Sequence, residues 1–318
     1  MLRFILTRLV RVIPVLLLVT RAVTASLELI PGNPAEATLG RESTPETLQA
    51  LEKQLGLNDA LPIRYVKWLG RAVQFNLGKS MVGQESVNQA IKDRFPISLE
   101  IALVAQTFAL LMAMIFGLWS AARSGSRLDR AVLAVTSAIQ SMPSFCIAIV
   151  AIILFGVQRR WFPVTGWVRL TDDVVGNMKS VFMPAMSLAL VEAAAYIRVL
   201  RGDVVRTLRE DFVLGARAKG LPDRQILLRH ALRPSSFGLV TIAGITLARL
   251  IGGTIVIEGI FEIPGLGNKI IRALSTRDYT MIQGLAAFLA VVYVLLSVSV
   301  EVLYAMLDPR VRARVRAS

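Results

Sequence analysis

The sequence has almost none of the residues from which catalytic and metal sites are usually built. Its 318 residues include a single cysteine, Cys146, and a single histidine, His230. They cannot form an internal disulfide, and they are too few for a His/Cys metal cage. His230 has no Ser or Cys partner in a nucleophile motif, and no G-x-x-x-x-G-K-[ST] phosphate loop is present. We therefore expect no catalytic residue, no cofactor and no metal in this chain, and any energy source must lie in another subunit.

Apolar residues, by contrast, are abundant. They make up 54% of the chain, and the mean hydropathy is +0.59. Six runs are long enough to cross a bilayer, which takes about 20 apolar residues. The runs are Leu9–Ile30, Ile97–Ala122, Ala131–Val157, Val181–Leu200, Ser236–Ile257 and Met281–Leu307. These runs predict an all-α polytopic membrane protein with six transmembrane helices.

The first run has the basic flank of a secretory signal, but we expect it to be retained. It is longer than a typical signal core, and the sequence after it is a poor cleavage site for a signal peptidase. The predicted organisation is a transmembrane helix at 1–30, an extracytoplasmic helical segment at 31–96, a transmembrane core at 97–307 and a cytoplasmic tail at 308–318.

The net charge of +14 is distributed unevenly. If the N-terminus is cytosolic, the segments 1–11, 123–130, 198–233 and 308–318 are cytosolic and hold 19 Lys and Arg in 66 residues. The outer segments hold 15 in 111 residues. This asymmetry is the positive-inside pattern and predicts that both termini are cytoplasmic. The charge is then a topology signal, and no nucleic-acid partner is expected.

The segment 31–96 contains signals for two amphipathic helices. Thr44 and Pro45 are typical of a helix start, and the leucine stripe that follows ends at Gly56. A second helix is predicted over Pro62–Phe75. Its expected buried face consists of Val66, Leu69 and Val73. The segment is either a spacer or a surface that receives an external partner.

Ionisable residues lie within the apolar runs, among them Arg21, Glu192, Arg249 and Glu301, and Glu258 lies at a helix end. A charge near the bilayer centre costs roughly 2.5–3.5 kcal/mol on insertion scales, so it usually faces protein or water. One interpretation is a polar translocation pathway that contacts substrate carboxylates. The other is a structural Arg–Glu pair or side chains that reach the interface.

A polar, basic segment at 201–234 interrupts the apolar runs. Helical spacing predicts one helix from Asp203 to Arg217, with Phe212 on its apolar face. Pro222 and Asp223 favour the start of a second helix, which we expect to end at Arg233-Pro234. The segment is interpreted as a knob that docks into a protein cleft. A helix lying on the lipid surface is the alternative.

Short pieces along the whole chain match the sequence patterns of one known family. They are LIPGNPA at 29–35, LGL at 55–57, LGKS at 77–80, SMPSF at 141–145, ARAKGL at 216–221, LLRHALR at 227–233, PGLG at 264–267, RDY at 277–279 and LDPR at 307–310. Their order and spacing make the match specific. The chain thus resembles the permease subunits of bacterial ABC importers for dipeptides, oligopeptides and nickel.

The resemblance implies a function and a set of partners. It implies a heterodimer with a second related permease, two ATP-binding subunits that hold ATP and Mg²⁺, and an extracytoplasmic binding protein that delivers a peptide to the bacterial inner membrane. It also implies that the following residues couple the permease to the ATPase: Ala216, Arg217, Ala218, Lys219, Gly220, Leu227, Leu228, Arg229 and His230. An outer loop or gate would include Pro264, Gly265 and Gly267.

Some positions depart from the family pattern. Asn33 and Asn76 replace aspartates, and Arg21 and Arg249 stand where the family generally has apolar or small residues.

Two other functions stay open. The same machine could import nickel or another small solute, or the chain could be a stand-alone membrane receptor or scaffold.

Overall fold

The computed structural model describes residues 2–28, 35, 44–55 and 58–307. Three stretches named in the sequence analysis lie outside the described residues: the LIPGNPA piece, except for its last residue Ala35, the residues Gly56 and Leu57 of the LGL piece, and the tail at 308–318.

Helices make up almost all of the regular structure in this described part of the chain. The only other element there is an isolated antiparallel bridge between Lys79 and Ser86. The helices are α1 (Leu2–Glu28), α2 (Pro45–Leu55), α3 (Leu61–Val73), α4 (Val87–Ala122), α5 (Arg127–Gln140), α6 (Ser144–Gln158), α7 (Val174–Thr207), α8 (Asp211–Ala218), α9 (Asp223–Ile260), α10 (Leu266–Ser275) and α11 (Tyr279–Leu307). An all-helical fold was predicted, and it is confirmed.

Four of these helices are long and apolar enough to cross a membrane: α4, α7, α9 and the Tyr279–Val300 part of α11. The bent pair formed by α5 and α6 gives a fifth candidate if it counts as one span. The apolar part of α1, Val12–Leu27, is shorter than the other candidates. The six crossings and the cytoplasmic termini therefore stay predictions.

The sequence predicted one continuous helix over the run Ala131–Val157, and this prediction is wrong. The run consists of α5 and α6, whose axes differ by 99°. Pro143, at the break, adopts an extended conformation (φ −61°, ψ 145°) and precedes the first residue of α6. A proline disfavours the helical conformation in the residue before it, which favours an end of α5 before Met142.

The chain forms two compact units. The first comprises residues 1–98 and 264–295, and the second comprises 99–263 and 296–318. The first unit has an apolar core to which α4, α10 and α11 contribute Val87, Leu266, Met281 and Leu285. In the second unit α7 is the central helix and packs against α5, α6, α9 and the end of α4.

Within the first unit, the helices of the segment 31–96 follow the prediction in position but not in orientation. α2 begins as expected, with the Thr47 N–H donating to Thr44 Oγ1 at 3.3 Å. On α3, however, Val66 and Val73 are exposed and Trp68 is buried, so the predicted buried face is wrong. Tyr65 explains the difference, since its hydroxyl donates to the Leu17 carbonyl of α1 at 3.0 Å and orients the aromatic face of α3 toward that helix.

Candidate functional site

Residues 208–231, from the end of α7 through the start of α9, form a compact element that we call the coupling element. It consists of a turn, α8, a second turn and the start of α9. Val213, Ala216 and Ile226 are buried together, and Leu208 and Leu221 pack against them. The element therefore has a small apolar core of its own, made by residues that are close in sequence.

Gly220 makes the tight turn at the tip of the coupling element. Its φ is +76°, in the left-handed region that favours glycine. The Gly220 N–H donates to the Arg217 carbonyl at 2.9 Å, and the Leu221 N–H donates to the Ala216 carbonyl at 3.3 Å. These bonds end α8 and turn the chain toward Pro222, which stands before the first residue of α9.

The predicted coupling residues divide into a core and an exposed face. Ala216 is buried, and Leu227 and His230 are half-buried. The others are exposed: Arg217, Ala218, Lys219, Gly220, Leu228 and Arg229. The residues 227–230 lie in a π-helical turn, Ile226–Ala231, and such turns occur frequently at functional sites. The exposed side combines basic groups with apolar ones, as a surface for a protein partner would.

Two details of the predicted segment are wrong. The helix that starts at Asp223 does not end at Pro234 but continues to Ile260. A proline breaks a helix because it cannot donate to the carbonyl four residues earlier; here the π-helical turn just before Pro234 already interrupts that pattern. Phe212, expected on the apolar face, is exposed, because a turn at Leu208–Glu210 separates α7 from α8 and shifts the register.

The base of the coupling element is held by polar contacts that the sequence did not reveal. The hydroxyls of Thr207 on α7 and Ser235 on α9 are 2.9 Å apart. Nearby in sequence on α7, Arg201 donates to Asp129 at 2.7 Å, and the buried Asp129 also accepts from Ser120 at 2.5 Å. These contacts join α4, α5, α7 and α9. They link segments that are distant in the chain, and a single sequence contains no signal for such pairings.

A second site surrounds two predicted pathway residues that the structure brings together. Arg249 on α9 donates from one terminal nitrogen to both carboxylate oxygens of Glu192 on α7, at 2.8 and 3.0 Å. The Glu192 side chain is 11% exposed, whereas that of Arg249 is 67% exposed. The pair is therefore not symmetrical: the carboxylate is embedded and the guanidinium is accessible.

The pair forms part of the wall of a cavity of about 440 Å³ within the second unit. We call it the ion-pair cavity. The break between α5 and α6 supplies one side, from Gln140 to Ser144, and so the SMPSF motif lies at this cavity. The remaining lining residues come from α7 and α9: Leu188, Val191, Glu192, Arg249, Leu250 and Gly253.

The other predicted pathway residues lie elsewhere. Glu258 is fully buried on α9, close to the end of that helix. Arg21 belongs to the first unit, where it is exposed on α1. Neither of them lines the ion-pair cavity.

In the first unit, Asp278 connects two motifs that are nearly 200 residues apart in sequence. It accepts from the Ser80 hydroxyl, from the Met81 N–H at 3.2 Å and from the Met281 N–H at 3.1 Å. We call residues 77–86 together with Lys269 and Asp278 the hairpin bracket. Gly78 (φ +96°) lies in it, and a Cβ there would come within 2.7 Å of Thr280. The LGKS and RDY pieces are thus parts of one structural feature.

Glu85 adds an ionic cluster to the hairpin bracket. Lys269 and Arg94 donate to its two oxygens at 2.5 and 2.7 Å. Burial by itself raises the pKa of Glu85, but the hydrogen bonds and charges of Lys269 and Arg94 outweigh it and hold the pKa below its usual value.

The predicted gate residues stand at the start of α10, in the same unit. Pro264 is exposed, whereas Gly265 and Gly267 are buried. The Leu266 N–H donates to the Ser98 hydroxyl at 2.9 Å, which ties this helix start to α4. Whether these residues form a gate stays a prediction.

Long apolar helices with an embedded ion pair define the chain as a helical, multi-pass membrane protein. Residues 113–313 match the family described as "Binding-protein-dependent transport system inner membrane component". Residues 1–102 match "Binding-prot-dependent transport system membrane comp, N-term". The chain belongs to this family and is a permease subunit of an ABC importer.

Several relatives cover nearly the whole chain. A Brucella abortus (strain 2308) protein, provisionally named a peptide transport system permease protein, is 35% identical over 97% of this chain and 98% of its own length. The di/tripeptide transport system permease protein DppB of Pseudomonas aeruginosa (strain UCBPP-PA14) is 33% identical over 98% of this chain and 99% of its own.

The fold is also found among solved structures. A chain of the MetNI methionine ABC transporter, in an inward-facing crystal form, superposes with a TM-score of 0.56 and 19% identity. The match covers 69% of this chain and 97% of the MetNI chain. At this identity the likeness concerns the fold alone.

Proposed function

We propose that this chain is one of two related permease subunits of an ATP-driven importer that carries di- and oligopeptides across the bacterial inner membrane. The observation that carries the proposal is the end-to-end similarity to peptide permeases, above all to the di/tripeptide permease DppB. An extracytoplasmic binding protein delivers the peptide, and six crossings place both termini in the cytoplasm.

The coupling element supports the proposed link to ATP hydrolysis. It has its own apolar core, so it can move as a unit, and the contact between Thr207 and Ser235 at its base joins the two long helices α7 and α9. A partner that binds its exposed basic and apolar face would therefore move α7 and α9 together. Two ATP-binding subunits, which hold ATP and Mg²⁺, would use this connection to alternate access by rigid-body motion of the helices.

Uptake measurements in the native host test the cargo. Labelled di- to pentapeptides and nickel are supplied side by side to cells with and without the gene. We expect peptide uptake alone to be lost without the gene and to return with the wild-type chain but not with a Gly220→Val chain. If only nickel uptake is lost, the chain is still part of an importer but the peptide cargo is wrong. If neither peptide uptake nor nickel uptake changes, both proposed cargoes are contradicted.

A further inference from the structure

The ion-pair cavity contains an unusual charge arrangement for an apolar helix. Placing Arg249 within an apolar helix is costly, because a charge there loses its hydration. Glu192 offsets this cost, yet a purely structural pair would serve best with both partners buried. Here 67% of the Arg249 side chain stays accessible at the cavity wall.

The guanidinium keeps most of its donors available. An arginine has five N–H groups, and both bonds to Glu192 come from one terminal nitrogen. Among the described residues, Nε and the other terminal nitrogen of Arg249 have no protein partner. Glu192 thus fixes the position of the guanidinium and leaves Nε and the other terminal nitrogen able to donate to a further acceptor.

The rest of the cavity suits a small, partly apolar ligand. Its volume of about 440 Å³ lies within the range of about 300–1,000 Å³ that is typical of small-molecule pockets. Met142, Pro143, Leu188 and Val191 provide apolar walls that accept varied side chains. α6 starts at this wall without a side-chain cap, and the start of a helix favours negative charge.

We infer that Arg249 binds the C-terminal carboxylate of a peptide in the ion-pair cavity, with Glu192 as the positioning residue. The inference rests on the proposed peptide cargo. The peptide carboxylate bonds to the donors that Glu192 leaves available, and the side chains of the peptide lie against the apolar walls. The bonds to Arg249 are shared by every peptide with a free C-terminus, so the site recognises the terminus rather than the sequence.

The test measures binding of a labelled dipeptide to the complex, assembled with its native partner subunits in nanodiscs and without the binding protein. The competitors are the same dipeptide with a free C-terminus and with a C-terminal amide. The wild type should prefer the free carboxylate by about tenfold to a hundredfold, the usual contribution of hydrogen bonds to a charged group. Arg249→Gln should remove this preference.

Three variants separate recognition from a structural role. Glu192→Gln/Arg249→Gln removes both charges, and Glu192→Arg/Arg249→Glu keeps the pair but reverses it. Both avoid an unpaired charge, and neither should restore the preference for a free carboxylate. Arg130→Gln removes an exposed arginine from the first turn of α5 in the same unit and should leave the preference unchanged.

Each other outcome contradicts the inference. Equal competition by the two peptides in the wild type, or a normal preference in the reversed pair, overturns it. Absence of saturable dipeptide binding in a complex that still takes up peptides also overturns it and leaves the proposed function intact. Wild-type cells that take up no peptide overturn the peptide cargo, and the inference fails with it.

Discussion

The coupling element and the hairpin bracket are both small excursions from long apolar helices, but they are held together in opposite ways. The coupling element has an apolar core whose members, from Leu208 to Ile226, are within 20 residues of one another. The hairpin bracket depends on Asp278 and Lys269, which lie 198 and 184 residues from their partners Ser80 and Glu85. The first is a local structure that can act as a movable unit, and the second fixes distant parts of the chain to each other.

The largest effect is expected at the turn of the coupling element. Gly220→Val should reduce ATP-coupled uptake by about tenfold or more, since a branched residue at positive φ is strained by roughly 1–2 kcal/mol and 1.4 kcal/mol corresponds to tenfold. A Cβ added at this position would meet no atom within 4 Å, so strain rather than a clash causes the effect. Transport assays and membrane abundance are measured together.

Two further glycine variants control this prediction. Gly220→Asn should have a smaller effect, because asparagine tolerates the left-handed conformation. Gly215→Ala, in α8 and with equally open surroundings, should leave uptake unchanged. Equal losses for Gly220→Val and Gly215→Ala would mean that the conformation of the turn is not what matters.

The next effect separates the core of the coupling element from its surface. Ile226→Ala removes a fully buried side chain and should destabilise the element by about 2–4 kcal/mol, as large-to-small changes do. Limited proteolysis should then cut within residues 208–231. Leu228→Ala, at an exposed position in the same π-helical turn, should not increase cleavage but should reduce copurification of the ATP-binding subunit. Increased cleavage in both variants would contradict the division into core and docking face.

Substitutions in the hairpin bracket should lower the stability of the protein rather than the coupling of transport to ATP hydrolysis. Asp278→Ala removes the acceptor of three hydrogen bonds and should lower the free energy of unfolding by about 2–3 kcal/mol. Denaturant unfolding of the purified complex measures this change. Asp59→Asn removes a largely exposed ion pair with Lys67 in the same unit and should change stability by less than about 1 kcal/mol. A similar loss in both variants would show that Asp278 is no more than a surface charge.

The smallest effect concerns pH. The pKa of Glu85 is lowered in the folded state, so its ion pairs contribute stability above its ordinary value of 4.5 and lose it as the pH falls below that value. Because the pair is partly exposed, we expect a contribution of about 1 kcal/mol or less. Unfolding midpoints at pH 7 and pH 4 should differ less in Glu85→Gln than in the wild type. An identical pH dependence in both would exclude Glu85 as its source.

Sequence alone was sufficient for features that depend on neighbouring residues. The apolar runs predicted α4, α7, α9 and α11, because a helix that enters a membrane must be continuous and apolar. The helix start at Pro45 and the helix start after Pro222 were also predicted, since capping and proline geometry act over a few residues. The family could be inferred because its motifs are short stretches of neighbouring residues that can be recognised without the structure.

Tertiary structure decided whatever depends on residues distant in the chain. The periodicity of α3 allowed either of two faces to be buried, and the hydroxyl of Tyr65 on the Leu17 carbonyl selected one. An Arg–Glu pair was one of two interpretations of the charges in the apolar runs, but only the structure shows that Glu192 and Arg249 are the partners and that the break before Pro143 places a cavity beside them. Local signals predicted several helix starts, whereas contacts between helices depend on packing that no single segment encodes.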